Sequence, residues 1–419
     1  MAERDQAERP DSARVQAAYE KAVRTYGRRP NVTGVDVGYK YDGGRRSDVI
    51  AVRIHVEEKI PVSALEAAEV LPSEIDGVPV DVIQGHYSPN DGTAEAALGL
   101  DERRQRRDPI QPGISISHPL VSAGTLGAIV YDRRDGRACL LSNWHVLAGS
   151  LFARAGDPIL QPGRFDGGRR ERDVIATLRR MHLGPRGDAA IAALNDARGV
   201  ETAQGHSGVR VVAARRATLG DVVTKSGRTT GMTSGVVDGV GRYRVAYSVG
   251  PQTIEGFIIR VREADNPANR EISAGGDSGS LWYDPFTEEG LGLHFAGETD
   301  PAPAAEYALA CHLEAVLDEL GVSLRPVEPA TDAPVSDQPA EDDGVPGSAP
   351  TLADLLARAG VGEEMLRELV PPGVDLGRPI ATPGVNLTGG GAAPLTIEIG
   401  PPASAARIRI SVEPPAADA

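Results

Sequence analysis

Between Ile110 and about Leu324 the sequence is broken by glycine into short β-rich runs, and this punctuation constrains the fold more than any other feature. Gly127–Tyr131, Val209–Ala214, Gly235–Val240, Gly256–Val261 and Gly290–Phe295 are examples. Many short strands with frequent turns build an antiparallel barrel or sandwich rather than a helical bundle. The 49 glycines and 32 prolines, set against 4% aromatic residues, point the same way. A closing helix is expected at Cys311–Leu320, with Leu313, Val316, Leu317 and Leu320 as its apolar face and Gly321 as its cap.

The flanks have a different texture. Residues 1–12 read as a loose tail, and 13–100 as a small α+β domain. In that domain Val15, Tyr19, Val23 and Tyr26 fall on one face of a helix from Ser12 to Gly27. Strands are expected at Val32–Tyr41 and Val49–Val56, joined through Asp42-Gly43-Gly44, then a helical stretch near Ser63–Val70 and a strand near Val78–Ile83. A charged joint, 101–109, carries four arginines between Arg103 and Arg107 and reads as a solvated linker. Residues 325–350 are acidic and proline-rich, with too little apolar area to offset their ordering entropy, and read as a second linker. The final segment, 351–419, reads as a small helix-plus-hairpin module: a capping box at Thr351–Asp354 opens one helix, Glu363–Leu369 suggests another, and Leu395–Ile399 pairs with Ile408–Val412.

Charge and composition exclude several functions. With 44 basic against 59 acidic residues the formal charge is −15, a poor match for a phosphate backbone, so no nucleic acid is expected as a partner. The polar start Met1-Ala-Glu-Arg lacks the apolar core of a secretory signal, and no apolar run approaches the roughly 18 residues that span a bilayer. Two distant cysteines, Cys139 and Cys311, argue against a disulfide framework. These features lead to an expected cytoplasmic location without membrane attachment. Neither His-Glu-x-x-His nor Cys-x-x-Cys occurs, and Thr224-Lys225-Ser226 lacks the glycine of a phosphate loop. No cofactor and no metal are expected.

Three stretches carry chemistry: Leu141-Ser-Asn-Trp-His145-Val146-Leu147, Gly187-Asp188-Ala-Ala-Ile-Ala-Ala-Leu194 and Gly275-Gly276-Asp277-Ser278-Gly279-Ser280. A serine hydroxyl is a poor nucleophile at neutral pH and needs a base within hydrogen-bond reach. Histidine suits that role, a carboxylate fixes its tautomer, and backbone N–H groups must face the developing oxyanion. Ser278 between glycines, His145 at the end of an apolar run and Asp188 at the head of one supply the three side chains, with the N–H groups of Gly276 and Ser278 as the oxyanion hole. Asp173 and Asp196 lie among Arg, Gly and Asn and are weaker choices for the carboxylate.

In the order His, Asp, Ser these stretches resemble the motifs of chymotrypsin/trypsin-like serine peptidases, in a form closer to bacterial intracellular members than to secreted digestive enzymes; that family's triad is the general worked template for this chemistry. Ala123-Gly124-Thr125, Lys225-Ser-Gly-Arg-Thr-Thr-Gly231 and Leu293-His-Phe-Ala-Gly297 extend the resemblance, which covers about 110–324. It implies a mainly β fold of two antiparallel Greek-key β-barrels, chymotrypsin-like, flanked by the small N-terminal domain and the C-terminal module. It also implies a serine endopeptidase acting on protein or peptide substrates through an acyl-enzyme. Ile272 would then lie at the base of the primary specificity pocket, where no carboxylate supports a taste for Arg or Lys, although Glu271 is adjacent. Phe295, Ala296 and Gly297 would border the substrate, and His294 lies on the same run. In zymogen-type relatives a freed N-terminus pairs with the Asp before the serine, here Asp277; the Arg103–Arg107 run offers a cleavage site, but no obligatory zymogen step is expected. Two other readings stay open: a catalytically silent protease-fold scaffold, and an esterase using the same triad. The C-terminal module is expected to recruit a protein partner or substrate at raised effective concentration.

Overall fold

Helix α1 (Ser12–Tyr26) lays Val15, Ala18 and Ala22 onto a cluster formed by Val32, Val35, Val52, Ile54, Ile75, Val78 and Val80. Tyr19, Val23 and Tyr26 line the flank of that contact rather than its centre, where the small alanines let helix and sheet approach closely. The sheet below is β1 (Val32–Asp42), β2 (Arg45–Val56), β3 (Glu74–Ile75) and β4 (Val78–Gln84). Gly43 and Gly44, with φ of 58° and 81°, supply the two left-handed positions that a tight β1–β2 hairpin needs. The helix expected near Ser63–Val70 is absent; one 3-10 turn at Val62–Ala64 stands in its place, and the exposed run buries no face that would hold a short helix.

The computed structural model describes residues 12–89, 102–150, 152–261, 271–297 and 306–328, with the backbone of three further strands. Those three, at Val385–Thr388, Leu395–Ile399 and Ile408–Val412, form an antiparallel sheet of their own, in which the second and third pair with Leu395 opposite Val412. The helix expected to open at the 351–354 capping box and the one expected at 363–369 lie outside the described residues. Among the described residues no helix is long and apolar enough to cross a membrane.

The chain is mainly β. After a short pair, β5 (Ser115–Ile116) with β6 (Gly124–Thr125), come β7 (Ala128–Asp132), β8 (Ala138–Ser142), the one-turn helix α2 (Trp144–Leu147), β9 (Pro158–Leu160), β10 (Val174–Gly184) and β11 (Gly187–Leu194). A second group follows: β12 (Val222–Gly227), β13 (Gly231–Tyr247), β14 (Gly250–Arg260), β15 (Leu281–Tyr283), β16 (Gly290–Gly297) and β17 (Tyr307–His312). Helix α3 (Leu313–Leu320) ends on Gly321, and β18 (Val322–Ser323) returns to the first group. The helix begins two residues later than its sequence suggests because Cys311 and His312 finish β17. Val209–Ala214 forms no strand; Val211 alone is buried, and Ala214 makes one isolated bridge to Gly290.

Two sheets result. The first runs β18-β7-β8-β11-β10-β9 and is antiparallel throughout. In the second, β12-β15-β16-β17-β14-β13 closes through a β12–β13 pairing around Val223, Val237, Phe257, Ile259, Trp282, Leu291, Ala308 and Ala310. The long strand β13 does double duty: its first half pairs with β12, and its second half pairs with β1, from Gly38 opposite Gly239 to Gly34 opposite Tyr243. Strands β1-β2-β4-β3 therefore continue the second sheet, which reaches ten strands.

That seam is ionic and buried. Arg53 donates to Asp36 through Nε at 2.7 Å and Nη2 at 2.6 Å, and to Asp238 on β13 through Nη1 at 2.7 Å. The Tyr243 hydroxyl donates to Asp36 at 2.8 Å and the Tyr41 hydroxyl to Asp238 at 3.0 Å. Burial works against the Asp36 charge, yet the Arg53 guanidinium beside it holds the carboxyl far below the usual carboxylate range. The charged run after it is also engaged: Arg103 Nη1 donates to the Gly227 carbonyl at 3.1 Å, and the Arg107 N–H to Gln161 Oε1 at 2.9 Å.

Candidate active site

The apolar run Cys139-Leu-Leu141 forms β8 because it is buried on both faces, paired with β7 on one side and β11 on the other. Helix α2 follows at once and carries His145, which is 8% exposed. Asp188 opens β11 and is fully buried. The two meet where the first sheet ends: His145 Nδ1 is hydrogen-bonded to Asp188 Oδ2, and the His145 backbone N–H donates to Oδ1 at 3.2 Å. Asn143 Nδ2 donates to the Asp188 carbonyl at 2.7 Å, fixing the strand end as well. A carboxylate only accepts, so this pairing requires the hydrogen on Nδ1 and makes Nε2 the basic nitrogen. Asp173, the weaker choice in sequence, is engaged with Arg172 at 3.1 Å instead.

Ser278 belongs to the turn between β14 and β15. Gly276 and Gly279 on either side of it have φ of 96° and 93°, a region that side-chain-bearing residues rarely adopt. A Cβ at Gly276 would also stand 2.7 Å from Arg228 Nη1 and Thr229 Oγ1. The turn is docked on β6: the Thr125 N–H donates to the Ser278 carbonyl at 2.7 Å, and Thr125 Oγ1 to the Gly276 carbonyl at 2.8 Å. Gly124 is the common wall. A Cβ there would be 2.6 Å from Val146 Cγ1, next to His145, and 3.0 Å from the Ser278 carbonyl. Around the serine, the N–H groups of Asp277, Gly279 and Ser280 are turned inward onto Ala274, His294 and Asp277 carbonyls.

Asp277 points away from the serine into a fully buried pocket of donors. Lys225 Nζ lies 3.1 Å from Oδ2; the Thr230 hydroxyl donates to the same oxygen at 2.5 Å, and the N–H groups of Thr229 and Thr230 donate to Oδ1 at 2.8 and 3.1 Å. Burial alone would raise the Asp277 carboxyl, but the Lys225 ammonium and these donors hold it at about 2. Burial lowers Lys225 in turn, with Asp277 opposing it. The sequence offered Lys225 and Thr230 only as part of a resemblance. Their signal was a lysine inside Val222-Val-Thr-Lys225-Ser-Gly227, a strand otherwise without charge, whose ammonium needs a buried anion.

The remaining sequence candidates lie on β16 or, for Ile272, in the segment that leads to β15. Ile272 is buried, its carbonyl accepts from Thr233 Oγ1 at 2.8 Å, and it packs in the barrel core with Ile259 and Trp282. Phe295 and Ala296 are fully buried on β16, and Gly297 ends that strand. His294, whose N–H donates to the Ser280 carbonyl at 2.9 Å, is pushed down to about 3 by burial, with the Lys225 charge adding to it. Among the described residues no group of three or more His, Cys, Asp or Glu is placed to hold a metal ion.

No family model matches the sequence, and no curated protein matches it. Among solved structures, the chain is similar to Thermobifida fusca Protease A at 17% identity, covering 51% of this chain and 97% of that one, with a TM-score of 0.38. A Nocardiopsis protease gives 16% identity, 52% and 98% coverage and a TM-score of 0.38. Cellulomonas bogoriensis chymotrypsin gives 18%, 52%, 100% and 0.37. These are chymotrypsin-like serine proteases, and at such identities none of them assigns a role to a residue of this chain.

Proposed function

We propose that this chain is a serine endopeptidase in which Ser278 attacks the scissile carbonyl, His145 takes and returns the proton, and Asp188 orients the imidazole. The observation that carries this reading is the grip of both Asp188 oxygens on one histidine, through the Nδ1 side of the ring and the backbone N–H. With Nδ1 committed, Nε2 is the base that accepts the Ser278 hydroxyl proton as the acyl bond forms, and the imidazolium then protonates the leaving amine. Water repeats the sequence in reverse to release the acid. Charge on the carbonyl oxygen is held by the N–H groups of Gly276 and Ser278 in the turn that Gly276 and Gly279 shape.

The lysine–aspartate pair bears on activation. Where a freed N-terminus would supply a cation to Asp277, Lys225 of the same chain already does so, which supports a turn that needs no cleavage near Arg103–Arg107 to take its shape. Protein or peptide substrates, a cytoplasmic location and recruitment through the C-terminal segment complete the reading. Truncation after Leu324 is expected to leave cleavage of short peptides intact and weaken attack on the natural target; loss of both would make that segment part of the fold.

A fluorophosphonate probe on the purified chain, beside Ser278→Ala, tests the assignment. Labelling that maps to Ser278 alone establishes an activated serine; ester turnover without peptide turnover would favour the esterase. Absence of labelling, before and after limited proteolysis, would leave the binding scaffold.

A further inference from the structure

After β4 the chain does not leave the molecule but runs across the second sheet. The Gly85 N–H donates to the Val56 carbonyl at 2.9 Å, and the Ala246 N–H to the Tyr87 carbonyl at 2.9 Å, where Tyr87 bridges Val245 in parallel. Tyr87 is the anchor. Its ring is buried, edge-on to Tyr243 and Tyr307 at centroid distances of 5.6 and 5.7 Å, and its hydroxyl meets His55 Nδ1 at 2.5 Å. Two residues later Pro89, also buried, forms an antiparallel bridge with Ala296.

A strand has two edges, and the geometry says which one Pro89 holds. Ala296 pairs with Leu309 of β17 on one edge, and β16 lies between β15 and β17. Pro89 therefore lies along the β15 edge. On that same edge His294 exchanges hydrogen bonds with Gly279 and Ser280, next to Ser278. Being antiparallel to β16, the segment advances from Ala296 toward His294, that is, toward the serine turn. An extended peptide adding a strand to this edge would take the same place and the same direction.

We infer that Tyr87–Pro89 is a built-in substrate mimic: it occupies the main-chain docking edge of β16 and holds the peptidase closed to extended peptides until it is displaced. The inference rests on the peptidase reading. It separates two kinds of latency, since the Asp277 turn is internally completed while the edge beside it is taken. The ligand class is an extended peptide with an aromatic residue two positions before proline, as in Tyr87-Ser88-Pro89 itself. A self-occupied edge lowers apparent affinity by the fraction of molecules in which it is open, without changing turnover once substrate is saturating.

The test compares the full-length chain with Tyr87→Ala, and with Pro89→Lys, which disturbs the edge contact but leaves the tyrosine anchor in the core. Cleavage of a fluorogenic peptide of eight or so residues is followed beside fluorophosphonate labelling of Ser278. Release of the segment is expected to lower KM about tenfold or more with kcat little changed, while the small probe labels all three chains. Acetyl-Tyr-Ser-Pro-Asn-amide should inhibit Tyr87→Ala competitively and the parent weakly. Equal KM values in parent and variants, with labelling in all, would overturn the inference and leave the peptidase reading standing. If the probe labels none of them, the serine assignment itself fails, and the inference with it.

Discussion

The two sheets that share the proposed catalytic groups are built on different plans. Asp188 sits on a sheet whose strands all come from 128–323 and His145 on the one-turn helix that follows β8, so the bond between them ties α2 to the start of β11. Ser278 sits on a barrel whose longest strand, β13, is also the first partner of β1, so that sheet borrows four strands from the first 84 residues. One half of the site is self-sufficient; the other is tied to the N-terminal segment by Arg53, Asp36 and Asp238 and is crossed by Tyr87–Pro89. The N-terminal segment thus completes the second sheet and lies along one edge of β16.

The largest expected effect treats both halves alike. His145→Ala and Ser278→Ala should each lower peptide turnover about 10⁴-fold or more, and the double variant little further, because the groups act as a unit. Steady-state kinetics with one peptide decides this; a tenfold loss in either single variant would break the pairing of the two sheets into one site.

Lys225→Met probes the second barrel alone. It strands the Asp277 carboxylate in a buried pocket, and the turn bearing Gly276 and Ser278 should lose its fixed shape. We expect kcat/KM to fall about a hundredfold, the scale of a lost oxyanion donor, and fluorophosphonate labelling to slow with it. Unchanged labelling would mean the turn holds its geometry without the ammonium.

Arg53→Met sharpens the comparison at the seam. Removing one partner of a buried ionic cluster costs about 3–5 kcal/mol, here by leaving Asp36 and Asp238 without their shared cation. The two tryptophans of the chain report on separate halves, Trp144 beside His145 and Trp282 in the second barrel. In single-tryptophan versions, thermal unfolding should shift for Trp282; a shift seen by Trp144 alone would contradict the structural dependence of the second sheet on the N-terminal segment.

The smallest effect is a pH dependence. Burial pushes His294 and His312, both on the second sheet, down to about 3 from an ordinary 6.5. Their unfolded forms take up protons below pH 6.5 and the folded forms do not, so this stability is complete above 6.5 and is lost as pH falls toward 3. Asp277, held at about 2 against 3.8, adds a second loss between those values. Melting temperature from pH 7 to 5 should therefore fall, and His312→Gln should flatten the slope; an unaltered slope would remove His312 from the account.

Sequence alone made the punctuated β texture, the His-Asp-Ser order and most strand positions legible, since each is written in neighbouring residues: alternation, a glycine on either side of Ser278, an apolar run behind His145. It placed Asp188 at the head of a buried strand for the same reason. It missed what depends on residues far apart. Lys225 answers Asp277 across 52 positions, Arg53 answers Asp238 across 185, and Pro89 meets Ala296 in the second barrel. Local pattern states that a lysine or arginine lies in an apolar strand; only the folded chain chooses which buried carboxylate neutralises it, because that choice is made by burial and proximity. Nor does a short segment such as Tyr87-Ser-Pro89 announce its partner, since any free strand edge offers the same backbone groups. Which edge it takes was decided by the tertiary structure, where β1 joins β13 and carries the following chain along β13 to Ala296 of β16.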